Sequence, residues 1–271
     1  MDFKAKLNKI VEENNSLLCV GLDVDKDKMP KFLFKQNKNP FLIFNKKIID
    51  KTKDLVCSYK LNMAFYELLG LDGYKILSET INYIPKDIIV ILDGKRNDIG
   101  NTAEKYAKSI FHILKSDATT INPYMGLDSV QPFLNYKDKC CFILCRTSNP
   151  SAIDFQDLKV SNSYLYEKVA MKIKKWDKLN NNCGAVIGAT YPRELKKIRS
   201  ILGENIPLLI PGVGKQGGDI KKTVEYGTNK DGVMAVINSS RGIIFAGQNE
   251  DFAEKSREKA EYLKDEINKF R

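Results

Sequence analysis

The sequence predicts an α/β protein: a single-domain (β/α)8 barrel over residues 1–271 with an extra N-terminal helix. Three observations carry that expectation. Short apolar runs alternate with longer amphipathic segments from end to end, as the βα units of a parallel sheet buried on both faces require. Eight runs and eight following helical segments can be counted, which suits a barrel of ordinary length. No Gly-, Ser- or Pro-rich linker and no solenoid repeat divides the chain, so one large core is favoured over two small ones.

Taken in order, residues 1–15 form an amphipathic helix expected to close the barrel floor. The strand runs are SLLCVGLD (16–23), VCSYKLNMAF (56–65), DIIVILDGK (87–95), ATTINPY (118–124), CCFILCRTS (140–148), CGAVIGAT (183–190), PLLIPGV (207–213) and DGVMAVINSS (231–240). Each is apolar without strict alternation, the signature of a strand covered on both sides. The helices between and after them are PFLIFNKKIIDKTKDL, DGYKILSETINYI, TAEKYAKSIFHILK, LDSVQPFLNY, YLYEKVAMKIKKWDKLN, PRELKKIRSILG, DIKKTVEYG and EDFAEKSREKAEYLKDEINKF, with apolar residues three and four apart. Their ends are punctuated by Asn101 and Thr102 before AEKYAKSIF, by Pro192 at an N1-like position, and by Gly203 and Gly227 just past helix ends. Two connections, DVDKDKMPKFLFKQNKN after the first strand and NPSAIDFQDLKVSNS after the fifth, are long for a barrel. Both follow strand C-termini, where barrel active sites are built, and are candidate lids.

Composition narrows the chemistry. His112 is the single histidine, which removes His-rich metal sites, HExxH helices and most Ser-His-Asp or Cys-His arrangements. It lies mid-helix in TAEKYAKSIFHILK and is read as a helix-face residue, as Trp176 is read as helix packing. Cys19, Cys57, Cys140, Cys141, Cys145 and Cys183 form no CxxC pair and sit in apolar runs, which fits inert thiols in a reducing, cytoplasmic protein. The N-terminus lacks a signal-type apolar segment and no 18 apolar residues run together, so neither secretion nor a membrane partner is expected. The net charge of +10 is spread along the chain without a basic block, so nucleic acid is not an expected partner.

The chemistry begins at IIVILDGKRNDIGNT, which sets Asp93, Lys95, Arg96 and Asp98 at the end of the third strand run. Asp93 and Lys95 are two apart and share a face while the strand lasts. Lys60 occupies the matching end of the second strand, about 4.8 Å away if the two strands are neighbours. Lys60, Asp93, Lys95 and Asp98 thus alternate in sign, and partly buried charges of this kind are tolerated only when they pair. A structural ion-pair network at a strand end is the competing reading.

The seventh run leads into PGVGKQGGD, whose four glycines let backbone N–H groups turn toward an anion. The eighth ends in NSSRGIIFAG, setting Arg241 where a guanidinium can grip phosphate through two bonds. Barrels often bind phosphate after strands seven and eight. Neither GxGxxG nor GxxxxGK[ST] is present, so a phosphorylated substrate is implied and a nucleotide cofactor is not.

With DGKRNDIGNT, SYKLNMAFYE, RTSNP and PGVGKQGGD in this order, the chain resembles the orotidine 5′-monophosphate decarboxylase family, in its longer-chain branch, over nearly its whole length. The resemblance implies that Lys60, Asp93, Lys95 and Asp98 are the catalytic tetrad, with Lys95 as proton donor to C6 of the pyrimidine. It implies that Asp98 and Thr102 reach into a neighbouring subunit's site, making the protein a homodimer with shared active sites. Asp23 resembles the ribose-hydroxyl ligand, Gln216 and Arg241 resemble the phosphate ligands, and Asn62 is a further candidate for a base or tetrad contact. Thr147 and Ser148 lie where the pyrimidine edge is read, with the choice between them open. The implied reaction takes orotidine 5′-monophosphate to UMP in pyrimidine biosynthesis without metal or other cofactor.

Elementary chemistry agrees. Loss of CO2 from C6 leaves an electron pair on an sp² carbon with no imine to accept it, so preorganised cations must stabilise the developing charge. The rival reading within this fold is a metal-dependent sugar-phosphate decarboxylase or aldolase, but Lys60 stands where an acidic ligand would be wanted. A basic nucleic-acid-binding protein is the rival outside it, and no recognition motif supports that.

Overall fold

In the computed structural model, which describes residues 1–213 and 219–271, the chain opens with helix α1 (Phe3–Glu13) and strand β1 (Leu18–Gly21). Helices α2 (Lys31–Gln36) and α3 (Pro40–Thr52) lead to β2 (Ser58–Asn62), followed by α4 (Met63–Glu67), α5 (Gly70–Tyr83), β3 (Ile89–Arg96) and α6 (Gly100–Lys108). A π-helical turn (Ser109–Ile113), which exposes His112, precedes β4 (Ala118–Ile121), α7 (Leu127–Leu134) and β5 (Cys140–Arg146). The hairpin β6 (Lys159–Val160) and β7 (Ser163–Tyr164) interrupts the next connection before α8 (Leu165–Asn180) and β8 (Cys183–Ile187). Then follow α9 (Pro192–Leu202), β9 (Leu208–Pro211), α10 (Ile220–Gly227), β10 (Ala235–Ser239), α11 (Arg241–Ile244) and α12 (Phe252–Asn268).

Eight parallel strands close in the order β1-β10-β9-β8-β5-β4-β3-β2, so the expected barrel is present. Residues of β1, β4, β8 and β10 are buried throughout, which is why their runs lack alternation. Helix α1 packs beneath the strand N-termini: Phe3 meets Phe142 edge-on, Lys6 pairs with Asp117 at 2.8 Å ahead of β4, and Lys4 bonds Asn181 at 2.6 Å ahead of β8. The floor is therefore closed as expected. On the flank, Phe252 stacks on Phe44 with ring centroids 5.2 Å apart, tying α12 to α3, and Trp176 is a buried packing residue of α8. No described helix is long and apolar enough to cross a membrane.

Several local expectations need correction. The second strand stops at Asn62, whose side-chain oxygen accepts from Ala64 N–H and starts α4, so Met63 to Phe65 are helical. Asn101 and Thr102 do not precede their helix; it begins at Gly100, which takes φ +51°, and they lie in its first turn. Gly227 is the last residue of α10, where a Cβ would collide with Ile210, so its role is close packing of helix on strand. Gly203 and Pro192 occupy the positions expected of them.

Candidate active site

At the C-terminal end of the strands lies a cavity of about 600 Å³ lined by Asp23 just after β1 and by residues of β2 to β5 and β8 to β10. Its floor is ionic. Lys60, Asp23 and Asp93 are all nearly buried. Asp93 is engaged through both oxygens: Oδ2 accepts from Lys60 Nζ at 3.0 Å, while Oδ1 accepts from Lys95 Nζ and from Thr120 Oγ1, each at 2.7 Å. Asp23 lies 3.8 Å from Lys60 Nζ and accepts from the Asn62 N–H at 3.3 Å and from Ser240 Oγ at 2.7 Å.

The two ladder neighbours explain the convergence. Strands β2 and β3 pair in parallel with Lys60 opposite Ile91 and Asn62 opposite Asp93, so Lys60 reaches one pleat along to the Asp93 carboxylate. Against β4 the β3 ladder slips: Leu92 pairs Thr119 and Arg96 pairs Ile121, leaving two extra residues on β3. Inside that bulge Lys95 takes φ +46°, a conformation that L-residues rarely adopt, and its N–H is held by Thr120 Oγ1 at 2.9 Å. Gly94 lets the Met63 side chain pack close against the bulge, since a Cβ would lie 2.9 Å from Met63 Sδ. The bulge, rather than simple two-residue alternation, sets the Lys95 ammonium against Asp93 while leaving its side chain half exposed to the cavity.

Burial alone would push the Asp93 carboxyl up, but Lys60 and Lys95 outweigh it and hold it well below the usual carboxylate range. Burial likewise opposes charge on Lys60, and Asp23 and Asp93 overcome it and hold the ammonium above the ordinary lysine value. Asp93 and Lys60 are therefore both charged at neutral pH.

Of the residues expected from sequence, Asp23, Lys60, Asp93, Lys95, Thr147, Ser148 and Arg241 line this one cavity. Asn62 does not; its side chain caps α4 and its N–H steadies Asp23. Asp98 and Thr102 lie outside the wall of their own chain's cavity, Asp98 with Oδ1 accepting from the Ile99 N–H at 2.8 Å and Thr102 beside a separate cleft with Met63, Tyr74 and Arg96. Gln216 lies outside the described residues. The sequence reading missed Thr120, Gln156 and Ser240. Thr120 and Ser240 belong to strand-end segments already singled out, whereas Gln156 comes from the long connection after β5 and carried no local signal. Among the described residues no group of three or more His, Cys, Asp or Glu side chains converges as a metal cage.

Fold and site together define a (β/α)8-barrel enzyme with a lysine–aspartate centre at the strand C-termini. The profile of the orotidine 5′-phosphate decarboxylase / HUMPS family matches residues 16–256, and the chain belongs to that family. A protein of Dehalococcoides mccartyi named orotidine 5′-phosphate decarboxylase is 48% identical over 275 residues, covering 100% of this chain and 99% of its own. One of the same name from Cellvibrio japonicus is 45% identical, covering 99% and 98%. The solved structure of Leishmania donovani OMP decarboxylase matches with TM-score 0.87 at 38% identity, covering 100% of this chain and 98% of that one. The Leishmania donovani UMP synthase structure matches with TM-score 0.86 at 38% identity; 99% of this chain aligns and spans 57% of that longer one. These full-length likenesses do not favour the metal-dependent or nucleic-acid-binding readings.

Proposed function

We propose that the protein decarboxylates orotidine 5′-monophosphate to UMP, with the charges of Lys60, Asp93 and Lys95 in place of a metal or other cofactor. The observation that carries this reading is the half-exposed Lys95 ammonium, 2.7 Å from a carboxylate whose oxygens are already engaged, at the floor of a cavity large enough for a nucleotide. The bond from C6 to the carboxyl carbon breaks, CO2 leaves, and the electron pair remains on C6. Lys95 stabilises that charge and passes one proton to C6, becoming a neutral amine that water reprotonates. Asp93 keeps the ammonium aimed. It also faces the substrate carboxylate, a repulsion of about 4 kcal/mol at about 4 Å and an effective dielectric of about 20, which departure of CO2 relieves.

The remaining assignments follow the cavity wall. Asp23, fixed by Ser240 and the Asn62 N–H, is suited to the ribose hydroxyls and Arg241 to the phosphate; the family resemblance adds Gln216, which lies outside the described residues, as a second phosphate ligand. Binding energy from that remote phosphate supports closure of the long connections over the site. Ser148 reads the pyrimidine edge: Thr147 spends its N–H on Gln156, its carbonyl on Arg146 and its hydroxyl on Gln156 and Asn149, whereas no described residue bonds the Ser148 N–H or hydroxyl.

Asp98 and Thr102 complete the site of a second copy in a homodimer. Exposed Leu68, Leu71, Ile99 and Tyr124 support this, since all four follow the adjacent strands β2, β3 and β4 and Ile99 is the chain neighbour of Asp98. The six buried free thiols suit a reducing, cytoplasmic setting. Purified protein assayed with EDTA should release CO2 from orotidine 5′-monophosphate and form UMP. Absence of turnover, or activity restored only by a divalent ion, refutes the proposal.

A further inference from the structure

We infer that Arg146, clamped by Asp157, is the positioning residue that aims the ring-reading peptide of the site; this rests on the reading of Ser148 above. Arg146 ends β5 and is 0% exposed, although no role in the chemistry calls for a buried guanidinium there. Burying that charge is costly unless it is matched, and a matched buried ion pair adds little stability over an apolar replacement. What the arrangement supplies is therefore geometry.

All its partners come from the cavity end of the barrel. Nη1 donates to the Thr147 carbonyl at 2.7 Å, Nη2 donates to Asp157 Oδ2 at 3.1 Å, and Nε lies 2.9 Å from Asp157 Oδ1. The guanidinium carbon sits 3.8 Å from the centroid of the Tyr191 ring, a stacked cation–π arrangement that a lysine could not reproduce. The β5–β8 ladder skips Cys145, and this irregularity is what turns Arg146 under the connection.

The consequence is stereochemical. The Thr147 carbonyl and the Ser148 N–H belong to one trans peptide, so they point in opposite directions. By drawing the carbonyl back, Arg146 aims the Ser148 N–H away from itself, and Ser148 lines the cavity. Gln156, one residue before Asp157, accepts from the Thr147 N–H and donates to the Thr147 hydroxyl, so the connection after β5 is tied to the same residue at two further points.

The test separates base recognition from folding. Dissociation constants for UMP and for ribose 5-phosphate are measured by calorimetry on the wild type, Arg146→Met and Asp157→Asn; Asp157 is one-third exposed, so its variant keeps the core intact. Arg146→Met should weaken UMP by about tenfold to a hundredfold, the range of one or two hydrogen bonds, with ribose 5-phosphate unchanged, and Asp157→Asn should move UMP alone in the same direction. Equal weakening of both ligands, or of neither, overturns the inference. A wild type that binds UMP no better than ribose 5-phosphate overturns the functional reading as well. A wild-type preference that both variants retain overturns only the role of Arg146.

Discussion

Replacing Lys60 by Met tests whether the ionic floor is a coupled unit. Its ammonium lies 3.0 Å from Asp93 Oδ2 and 3.8 Å from Asp23 Oδ1. At an effective dielectric of about 20 these separations correspond to attractions of about 5.5 and about 4.4 kcal/mol, most of which offsets the cost of burying the ions. Removing one partner leaves that cost uncompensated, so Lys60→Met and Asp93→Asn should each destabilise the protein by about 3 to 5 kcal/mol at pH 7. The double variant should cost at least about 2 kcal/mol less than the two added together. The assay is urea unfolding of all four proteins at one concentration and ionic strength. The pH dependence has a definite sign: a carboxyl held below its ordinary value stabilises the fold above about pH 4 and loses that contribution as pH falls further. The gap between wild type and Asp93→Asn should therefore persist from pH 7 to 5 and narrow only below about pH 4. Additive single effects, or a gap already closing near pH 6, refute the coupled centre.

Lys95→Ala should reduce kcat below detection while calorimetric affinity for UMP changes by less than about tenfold, since the proposed phosphate and ribose contacts are elsewhere; retained turnover removes it from proton delivery. Mixing inactive Lys60→Ala with inactive Asp98→Ala under subunit exchange should restore partial activity, because in the proposed shared-site dimer one site of each mixed pair would carry neither lesion. No recovery despite proven exchange refutes the shared site. Gly188→Ala places a Cβ 2.7 Å from that of Ser148, and should raise KM at least about tenfold with a stability loss of about 1 to 3 kcal/mol; an unchanged KM refutes the close fit at that edge.

The barrel was legible because burial on both faces leaves uninterrupted apolar runs, and the site was legible because charges at a strand end have few structural uses. Local geometry was less so. Alternation puts Asp93 and Lys95 on one face, but the convergence depends on a bulge and a left-handed Lys95 that only the β4 neighbour dictates. Asn62 has the chemistry of a ligand and is consumed as a helix cap because the chain turns there. Gln156 reaches Thr147 from nine residues away, across the short 3-10 turn Pro150–Asp154, a contact that no periodicity encodes.

The cysteines carry a consequence of their own. All six are buried and free, distributed over β1, the entry to β2, β5 and β8, and burial pushes every one of their thiols up, that of Cys57 to about 12. Thiolate is the reactive species, so each sulfur is silent toward alkylating reagents until its strand leaves the wall. The barrel thus carries its own opening clock: the order in which these positions are labelled in a native-state experiment reports which staves part first, with no probe added.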